Sequence, residues 1–258
     1  MRSLLGSAAR GNLACNLRRL LLRNRCRRQV SGLVEPPYRS QVGQDRFLDE
    51  FVFHGRRAGV FVDIGAHDGV TLSNSYYFEK ELGWNGLCVE PNPARYKELT
   101  KSRRAQTKNC GVGPTEGRLK FLQLPAHLDL GSGFLDYFAP QSEFAERHPA
   151  GSVVVEIPVL RLTELLASAR FERIDYLSID TEGADFDIIR SLDFTNCDIS
   201  TISVENSGWD ERIAAYLGSN GYSLIAVLGS DEIYLKRELE HTFPLRGWRS
   251  GRASSASA

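Results

Sequence analysis

Three short clusters of acidic residues, glycines and amides are the parts of this sequence best suited to chemistry. The first is a D-x-G-x-x-x-G pattern over residues 63–69, the second is Asp-Thr-Glu-Gly over residues 180–183, and the third is the pair Glu205 and Asn206. Each cluster follows a run of apolar residues that is typical of a buried strand. Because parallel strands present their carboxyl ends at one edge of a sheet, we expect the three clusters to form one ligand site.

The first cluster favours a nucleoside ligand that carries a positive charge. Gly65 and Gly69 would let the backbone approach a ligand, and the following helix would offer free N–H donors. The glycine spacing differs from the G-x-G-x-x-G fingerprint that seats a pyrophosphate, and Asp63 would repel such an anion. Glu90, at the end of the next predicted strand, is placed to accept two hydrogen bonds from a ribose diol. This combination points to S-adenosylmethionine rather than NAD, the alternative being a tight turn and a surface carboxylate without a ligand.

The second cluster supplies candidates for a general base. A hydroxyl acceptor loses its proton when it is methylated, and the predicted catalytic residues are, in order, Asp180, Glu182 and His67. Helix capping is the competing interpretation, with Asp180 or Thr181 as the N-cap and Glu182 near the positive end of the helix dipole. The two roles are compatible.

Asp180, Glu205 and Asn206 also form a candidate magnesium site. Oxygen ligands at adjacent strand ends suit Mg²⁺, which would hold a vicinal diol or a catechol-like acceptor. The simpler interpretation is that these side chains hydrogen-bond the acceptor directly, and we favour it over the metal hypothesis.

The elements that position these residues alternate between strand and helix, which predicts a doubly wound parallel sheet with helices on both faces. Strands are predicted over residues 59–64, 86–90, 107–110, 153–160, 174–179 and 199–204, with an edge strand over 118–124 and a terminal antiparallel hairpin from 222–228 and 233–236. Helices are predicted over residues 72–82, 93–101, 163–169 with Thr163 as the cap, 184–192 and 210–217. The irregular stretch 125–151 predicts a lid or binding segment, from which His127 or His148 would reach the site.

Composition places the chain among globular proteins. It has 258 residues, of which 42% are hydrophobic, and its 32 basic side chains balance 32 acidic ones. No stretch approaches the roughly 20 uncharged apolar residues of a membrane-spanning helix, and no repeat is present. Residues 1–34 contain eight arginines and no acid, which leaves 24 basic and 32 acidic groups in the remainder. The acidic body gives no reason to expect a nucleic-acid partner.

These patterns divide the chain into a basic arm over residues 1–34, a domain over 35–238 and a disordered tail over 239–258. Leucines in the arm repeat at helical spacing, which suits a transit peptide, an anchor on anionic lipid or an RNA-contacting arm; a solvated tail is the competing interpretation. Five widely spaced cysteines favour free thiols and a reducing compartment. We expect a cytoplasmic protein, with organelle import or peripheral membrane contact through the arm as alternatives, and the oligomeric state stays open.

From about residue 38 to 236, the chain resembles the FkbM family of S-adenosylmethionine-dependent methyltransferases. The motifs that carry the resemblance are Ser-Gln-Val-Gly-Gln-Asp at 40–45, Val-Asp-Ile-Gly-Ala at 62–66 with Asp68 and Gly69, Gly-Leu-Cys-Val-Glu-Pro-Asn at 86–92, Ile-Asp-Thr-Glu-Gly at 179–183 and Ile-Ser-Val-Glu-Asn at 202–206. His67 stands where the family commonly has asparagine, and Thr181 where an aliphatic residue is usual.

The resemblance implies an α/β fold with a seven-stranded Rossmann-like sheet, and O-methylation of a hydroxyl on a sugar, polyketide or other small metabolite. The resemblance also implies that Asp63, Gly65, Glu90 and Asp180 border the cofactor. Neighbouring motif residues complete the predicted cofactor contacts: Gln41, Ala66, Gly69, Pro91 and Asn92. Two alternatives stay open: an NAD-linked oxidoreductase, and an inactive interaction module with the methyltransferase fold.

Overall fold

A computed structural model describes Arg19, Leu22 and residues 36–138 and 148–242. Most of the basic arm and residues 243–258 of the tail therefore lie outside the described residues. In the described part of the chain, no helix has the length and apolar character needed to cross a membrane.

The described residues form eleven strands and six α-helices. The strands are β1 Val60–Ile64, β2 Asn85–Val89, β3 Gln106–Lys108, β4 Gly111–Val112, β5 Gly117–Gln123, β6 Gly133–Phe134, β7 Val153–Leu160, β8 Ile174–Ile179, β9 Ile199–Glu205, β10 Tyr222–Leu228 and β11 Asp231–Lys236. The helices are α1 Gln44–Leu48, which continues as a π-helical turn over Asp49–Phe53, α2 Tyr76–Lys80, α3 Pro93–Ser102, α4 Leu162–Ala169, α5 Asp185–Arg190 and α6 Glu211–Ser219. Short 3₁₀ turns cover Asp129–Gly131, Leu135–Tyr137 and Arg237–Thr242.

Seven strands form the main sheet in the order β10-β11-β9-β8-β1-β2-β3. Strand β11 runs antiparallel to both neighbours, whereas the pairs from β9 across to β3 are parallel. The predicted doubly wound sheet with a terminal antiparallel hairpin is confirmed. The strand order reverses between β8 and β1, so the carboxyl ends of β1, β2, β8 and β9 border a single crevice.

Alternate residues of the central strands enter two separate apolar layers, as a doubly wound sheet requires. On one face, Val62 of β1 packs in a core that includes α4, α5 and α6. On the other face, Phe61 packs in a core that includes α1, α2 and Leu99 of α3. Both faces of the sheet are thus covered by apolar cores. Polar side chains, including Asp63, Glu90 and Asp180, lie at its carboxyl edge.

The expected edge strand over residues 118–124 belongs to a different sheet. It forms β5 of a four-stranded sheet ordered β4-β7-β5-β6, in which β5 pairs antiparallel with β7. Its length and composition predicted a strand correctly, but they did not identify the partner. Strand β6 lies in the irregular stretch 125–151 and brings that stretch back onto the small sheet.

Local hydrogen bonds explain where three predicted helices differ from the structure. The helix expected at 72–82 is shortened to α2, because the Asp68 side chain accepts hydrogen bonds from the backbone of Val70 and Thr71 and forms turns instead. Thr163 is not a cap, since α4 begins after Arg161 without a side-chain cap bond. Helix α5 likewise begins after Ala184, so neither Asp180 nor Thr181 is its N-cap.

The N-termini of two other helices agree with the capping residues in the sequence. Asn92 caps α3 by accepting from the backbone of Ala94, with Pro93 in the first turn, and Asp210 caps α6 by accepting from Arg212. Residues 239–242, which were expected to begin the disordered tail, belong to the 3₁₀ turn after β11.

Candidate active site

The turn after β1 is folded against the start of the loop after β8. Gly65 adopts φ +90°, and a Cβ at this position would overlap the carbonyl oxygen of Asp180. Hydrogen bonds from Gly65 N to Val89 O at 2.9 Å and from Asp180 N to Ile64 O at 3.0 Å fix the three strand ends together. The absence of a side chain at Gly65, which was predicted to admit a ligand, therefore serves close packing of the backbone in this structure.

Gly69 has a packing role rather than a place in the crevice. It adopts φ +80°, and a Cβ there would lie 2.7 Å from side-chain atoms of Leu99, Ser102 and Arg103 at the end of α3. It does not line the crevice in this structure, and its role as a cofactor contact stays a prediction.

A continuous cleft, here called the main cleft, follows the carboxyl edge of β1, β2, β8 and β9. The other eight predicted cofactor contacts all line it: Gln41, Asp63, Gly65, Ala66, Glu90, Pro91, Asn92 and Asp180. The three predicted catalytic residues line it as well: Asp180, Glu182 and His67. Their roles stay predictions, but the structure brings them to one place.

Glu90 is buried at the end of β2 and held at both carboxylate oxygens. Oε2 accepts from the backbone N–H of His67 at 2.7 Å, and Oε1 accepts from that of Asn92 at 2.7 Å. Burial raises the pKa of Glu90 to about 7, although these two hydrogen bonds oppose the shift. Asn109 donates to the backbone oxygens of Glu90 and Pro91, which fixes the strand end itself. Each carboxylate oxygen keeps acceptor capacity for a ligand hydroxyl.

Asp63 and Asn74 add acceptor groups deeper in the main cleft. The Asp63 side chain is buried, accepts from Ser75 Oγ, and has its pKa raised by burial against the opposing field of Arg103. Asn74 donates through Nδ2 to Ser178 Oγ at 3.2 Å, while its Oδ1 is buried without a hydrogen-bond partner. An unsatisfied buried acceptor is costly, so a donor group of a ligand would be stabilised at this point.

Asp180, Glu182 and Glu205 bring one carboxylate oxygen each to within 4.8 Å of one another. Asp180 and Glu182 are open to the cleft, yet protein atoms surround their other sides. This burial and the repulsion from Glu205 raise the pKa of Asp180 well above its ordinary value and that of Glu182 to about 7. The cluster therefore retains protons near neutral pH, or binds a positive group.

Asp185 shapes the loop that carries Glu182. Its carboxylate accepts from Thr181 N at 3.0 Å, Thr181 Oγ1 at 2.9 Å and Gly183 N at 3.1 Å. Glu182 has φ 56° and Gly183 has φ 120°, so this loop adopts left-handed backbone that the Asp185 bonds stabilise. Burial raises the pKa of Asp185 to about 6.

Asn206 does not belong to the carboxylate cluster. Its Oδ1 accepts from Asp210 N at 2.6 Å, and its Nδ2 donates to Glu232 Oε2 at 3.0 Å. The amide oxygen thus already accepts a hydrogen bond within the protein, and the role of Asn206 as a magnesium ligand stays a prediction. Glu182 lies beside Asp180 and Glu205, and a metal at these three carboxylates is likewise a hypothesis.

The irregular stretch does contribute to the main cleft, but not through its histidines. His127 and His148 are exposed and do not line it. Asp129 instead accepts from Arg95 Nε and lies 3.1 Å from His67 Nε2, which anchors the stretch over the cleft. The His67 ring therefore contacts Asp129, while the backbone N–H of His67 donates to Glu90.

Sequence reasoning missed three residues of the cleft: Gln44, Asn74 and Asp231. Gln44 Nε2 donates to Asp231 Oδ2 at 2.7 Å, and Asp231 pairs across the sheet with Glu205. The signal for Asp231 was present, because β10 runs parallel to β9 and its hairpin turn must lie at the ligand edge. Asn74 gave no signal, since it lies in a turn within a predicted helix.

Comparison with known proteins assigns the fold and the cleft to a family. Residues 63–224, more than half of the chain, match the methyltransferase FkbM domain. The chain belongs to the FkbM methyltransferase family. The resemblance seen in the sequence motifs is thereby confirmed.

Two curated relatives are methyltransferases by name. Methyltransferase 1 of Beauveria bassiana is 27% identical over 128 residues, covering 44% of this chain and 51% of the relative. Methyltransferase sdnD of Sordaria araneosa is 25% identical over 191 residues, covering 63% of this chain and 73% of the relative. The chain thus spans about half the length of the first relative.

Solved structures show weaker overall similarity. An FkbM methyltransferase from Methylobacillus flagellatus aligns with TM-score 0.43 and 13% identity, covering 69% of this chain and 43% of the other. A precorrin-6y C5,15-methyltransferase from Geobacter metallireducens aligns with TM-score 0.42 and 10% identity, covering 78% and 89%. The family assignment rests on the domain match.

Proposed function

We propose that the main cleft binds S-adenosylmethionine and that the protein transfers the methyl group to a hydroxyl of a small-molecule or saccharide acceptor. Membership of the FkbM methyltransferase family supports methyl transfer. The observation that carries the choice of cofactor is the buried Glu90 carboxylate, fixed by two backbone N–H groups at the end of β2.

Glu90 suits a ribose diol because its orientation is set before the ligand arrives. With one backbone donor on each oxygen, the carboxylate presents its remaining lone pairs to two neighbouring hydroxyls. Such charge-assisted hydrogen bonds are stronger than neutral ones. An NAD-linked reaction is disfavoured, because the turn after β1 lacks the glycine spacing of the dinucleotide fingerprint and carries buried Asp63.

The opposite part of the cleft suits the amino-acid portion of the cofactor. Asp63 and Asp180 supply carboxyl groups that a bound ammonium group would favour in their ionised form, and the unpartnered Oδ1 of Asn74 supplies an acceptor for an ammonium N–H. A bound positive charge would also relieve the repulsion among Asp180, Glu182 and Glu205.

Glu182 is the group best placed to take the acceptor proton. When bound, the sulfonium cofactor supplies an electrophilic methyl carbon. An acceptor oxygen would displace sulfur from this carbon, the electron pair of the broken carbon–sulfur bond would stay on sulfur, and Glu182, which lines the cleft, would take the hydroxyl proton. A pKa of about 7 keeps Glu182 partly ionised at neutral pH. His67 is the weaker candidate, because its ring already contacts Asp129.

Titration calorimetry with S-adenosylhomocysteine tests the cofactor assignment. We expect the full chain to bind, and Glu90→Ala to weaken binding by about 10- to 100-fold, as expected for loss of charge-assisted hydrogen bonds. Glu172→Ala, which changes an exposed acid outside the cleft, is the matched control and should bind like the wild type.

Two results would count against the proposal. Absence of S-adenosylhomocysteine binding to the folded full chain would reject the cofactor. Energy transfer from protein tryptophans to NADH, with none of the expected binding of S-adenosylhomocysteine, would favour the oxidoreductase instead.

A further inference from the structure

A second cleft adjoins the main cleft at the carboxylate cluster. Glu182 and Glu205 line both clefts, so a molecule in the second cleft would meet the main cleft at these two side chains. The walls come from three different places: Tyr137 in the irregular stretch, Phe186 in α5 and Arg212 in α6. This position relative to the proposed cofactor suits the methyl acceptor.

The segments that line the second cleft pack directly on one another, so the cleft is formed without a ligand. A Cβ on Gly183 would lie 2.8 Å from the carbonyl oxygen of Tyr137, and one on Gly133 would lie 3.4 Å from Glu182 Cβ. The irregular stretch therefore packs on the loop that carries Glu182. Asp185 fixes the same loop through Thr181 and Gly183.

The second cleft already holds one cation of the protein between an aromatic ring and a carboxylate. The guanidinium carbon of Arg212 lies 4.3 Å from the ring centroid of Phe186, and its Nη2 lies 2.6 Å from Asp210 Oδ2. Both attractions are established modes of cation recognition. Arg212 is thereby satisfied by its own neighbours and is a poor partner for an acidic ligand.

Three other acids of the cleft lack such a partner. Asp187 pairs with Arg190 at 3.4 Å, but among the described residues Glu182, Asp185 and Glu205 make no ion pair with a lysine, arginine or histidine. These three acids line the same cleft as the half-buried side chain of Tyr137. A positive group is attracted to both the carboxylates and the ring face, whereas an anionic group is repelled by the acids.

We propose that the second cleft is the acceptor subsite and that it selects acceptors bearing a positive charge, such as an amino alcohol or amino sugar, over phosphorylated or carboxylated ones. The inference rests on the proposed function, because it places the acceptor next to the cofactor. It extends that function by naming the charge class of the substrate. The hydroxyl to be methylated would lie at Glu182 and Glu205, with the ammonium group further out between Tyr137 and the acids.

Three probes of one ring size test this charge preference: benzylammonium, benzyl alcohol and benzoate. Their binding to the full chain is measured by ligand-observed NMR titration, with and without S-adenosylhomocysteine. We expect benzylammonium to bind at least about tenfold more tightly than benzoate, with benzyl alcohol between them. Glu205→Gln should reduce this ratio by about threefold or more, because it removes one of the attracting charges.

Glu156→Gln, which changes an exposed acid on β7, is the control and should leave the ratio unchanged. Equal affinities, a preference for benzoate, or no binding of benzylammonium up to about 10 mM would overturn the acceptor proposal. Each of these results can be obtained while S-adenosylhomocysteine still binds, in which case the methyltransferase proposal stands. Loss of S-adenosylhomocysteine binding alone would instead reject the proposed function.

Discussion

Among single residues, Glu182 experiences the clearest conflict between fold and charge. It lies on left-handed backbone, is crowded by protein, and shares its surroundings with Asp180 and Glu205. Its ordinary pKa is 4.5, and in the folded chain it is about 7. Ionisation of Glu182 therefore destabilises the fold, as is common for acids at functional sites.

Glu182→Gln should stabilise the ligand-free protein at pH 8 and have little effect at pH 5. Because the folded pKa is raised, the stabilising contribution of protonated Glu182 is complete below about pH 4.5 and is lost as the pH rises through 7. Since the side chain is open to solvent in the cleft, we expect a gain of only about 1 kcal/mol in the free energy of unfolding. Urea denaturation at the two pH values measures it, and equal gains at both would contradict this account.

Gly65→Ala should destabilise the protein strongly, by about 3 kcal/mol or more. An alanine would need φ +90° and would place its Cβ into the Asp180 carbonyl oxygen. Gly117→Ala is the matched control, because nothing lies within 4 Å of a Cβ at that position. Thermal and urea unfolding of both variants compare the effects, and a Gly65→Ala protein as stable as the control would refute the packing role.

The motif residues were predictable at this scale because parallel strands must bring their carboxyl ends together. Asp63, Glu90 and Asp180 each follow an apolar run, and all three reach the main cleft. Gly69 packs closely against the end of α3, a role that the sequence did not reveal, because sequence alone does not distinguish a glycine that approaches a ligand from one that lets a helix pack closely.

At the scale of elements, one acidic residue links the irregular stretch to the rim of the main cleft, in addition to the pairing of β6 with β5. Asp129 contacts both Arg95 of α3 and His67 of the turn after β1. Leu130, Ser132 and Phe134 of the same stretch line the cleft beyond it. The anchoring of Asp129 therefore determines how closed this side of the cleft is.

Asp129→Ala should loosen this segment while leaving the sheet intact. We expect faster amide hydrogen exchange over residues 128–134 and about fivefold weaker binding of S-adenosylhomocysteine, equivalent to about 1 kcal/mol. Glu98→Ala removes the other carboxylate partner of Arg95, which is exposed, and serves as the control. Unchanged exchange in Asp129→Ala would show that the small sheet alone holds the segment.

Elements that leave a local pattern in the sequence were predictable, whereas pairings between distant segments were not. The buried strands of the main sheet were marked by continuous apolar runs between glycines and prolines. The assignment of β5 to a separate sheet was not predictable, because its pairing with β7 joins residues that are 30 or more positions apart and leaves no local signal. The second cleft was unpredictable for the same reason, since its walls come from the irregular stretch, α5 and α6, which are separate in the sequence.

At the scale of the whole molecule, the neutral formal charge is the sum of two unlike parts, and Arg19 shows that they are connected. Arg19 is fully buried, and its Nε lies 2.5 Å from Glu232 Oε1 in β11. Leu22 packs against both apolar cores. A charge run in a sequence usually indicates a solvated face, so nothing in the arginine-rich pattern predicted that one member would be buried in the domain.

The ion pair lies directly behind the ligand edge. Glu232 follows Asp231 of the main cleft, and its Oε2 also accepts from Asn206 Nδ2 and from Tyr234 Oη. Arg19 Nη2 additionally donates to Asp210 O at 3.2 Å. Arg19 thereby supports the 205–210 loop, from which several residues line the second cleft. The arm thus contacts the domain at Arg19, and its role as an address, an anchor or a tail stays a prediction.

Arg19→Met should therefore lower the free energy of unfolding by about 3–5 kcal/mol, because it leaves Glu232 buried without a positive partner. Adding Glu232→Gln should recover much of this loss, since the amide needs no counter-charge and keeps an oxygen for Tyr234 and Asn206. Arg118→Met, in the exposed pair with Glu156, should change stability by no more than about 1 kcal/mol. Urea denaturation of the four proteins decides the matter: if Arg19→Met unfolds like the wild type, the arm contributes nothing to the domain, and its eight arginines act elsewhere.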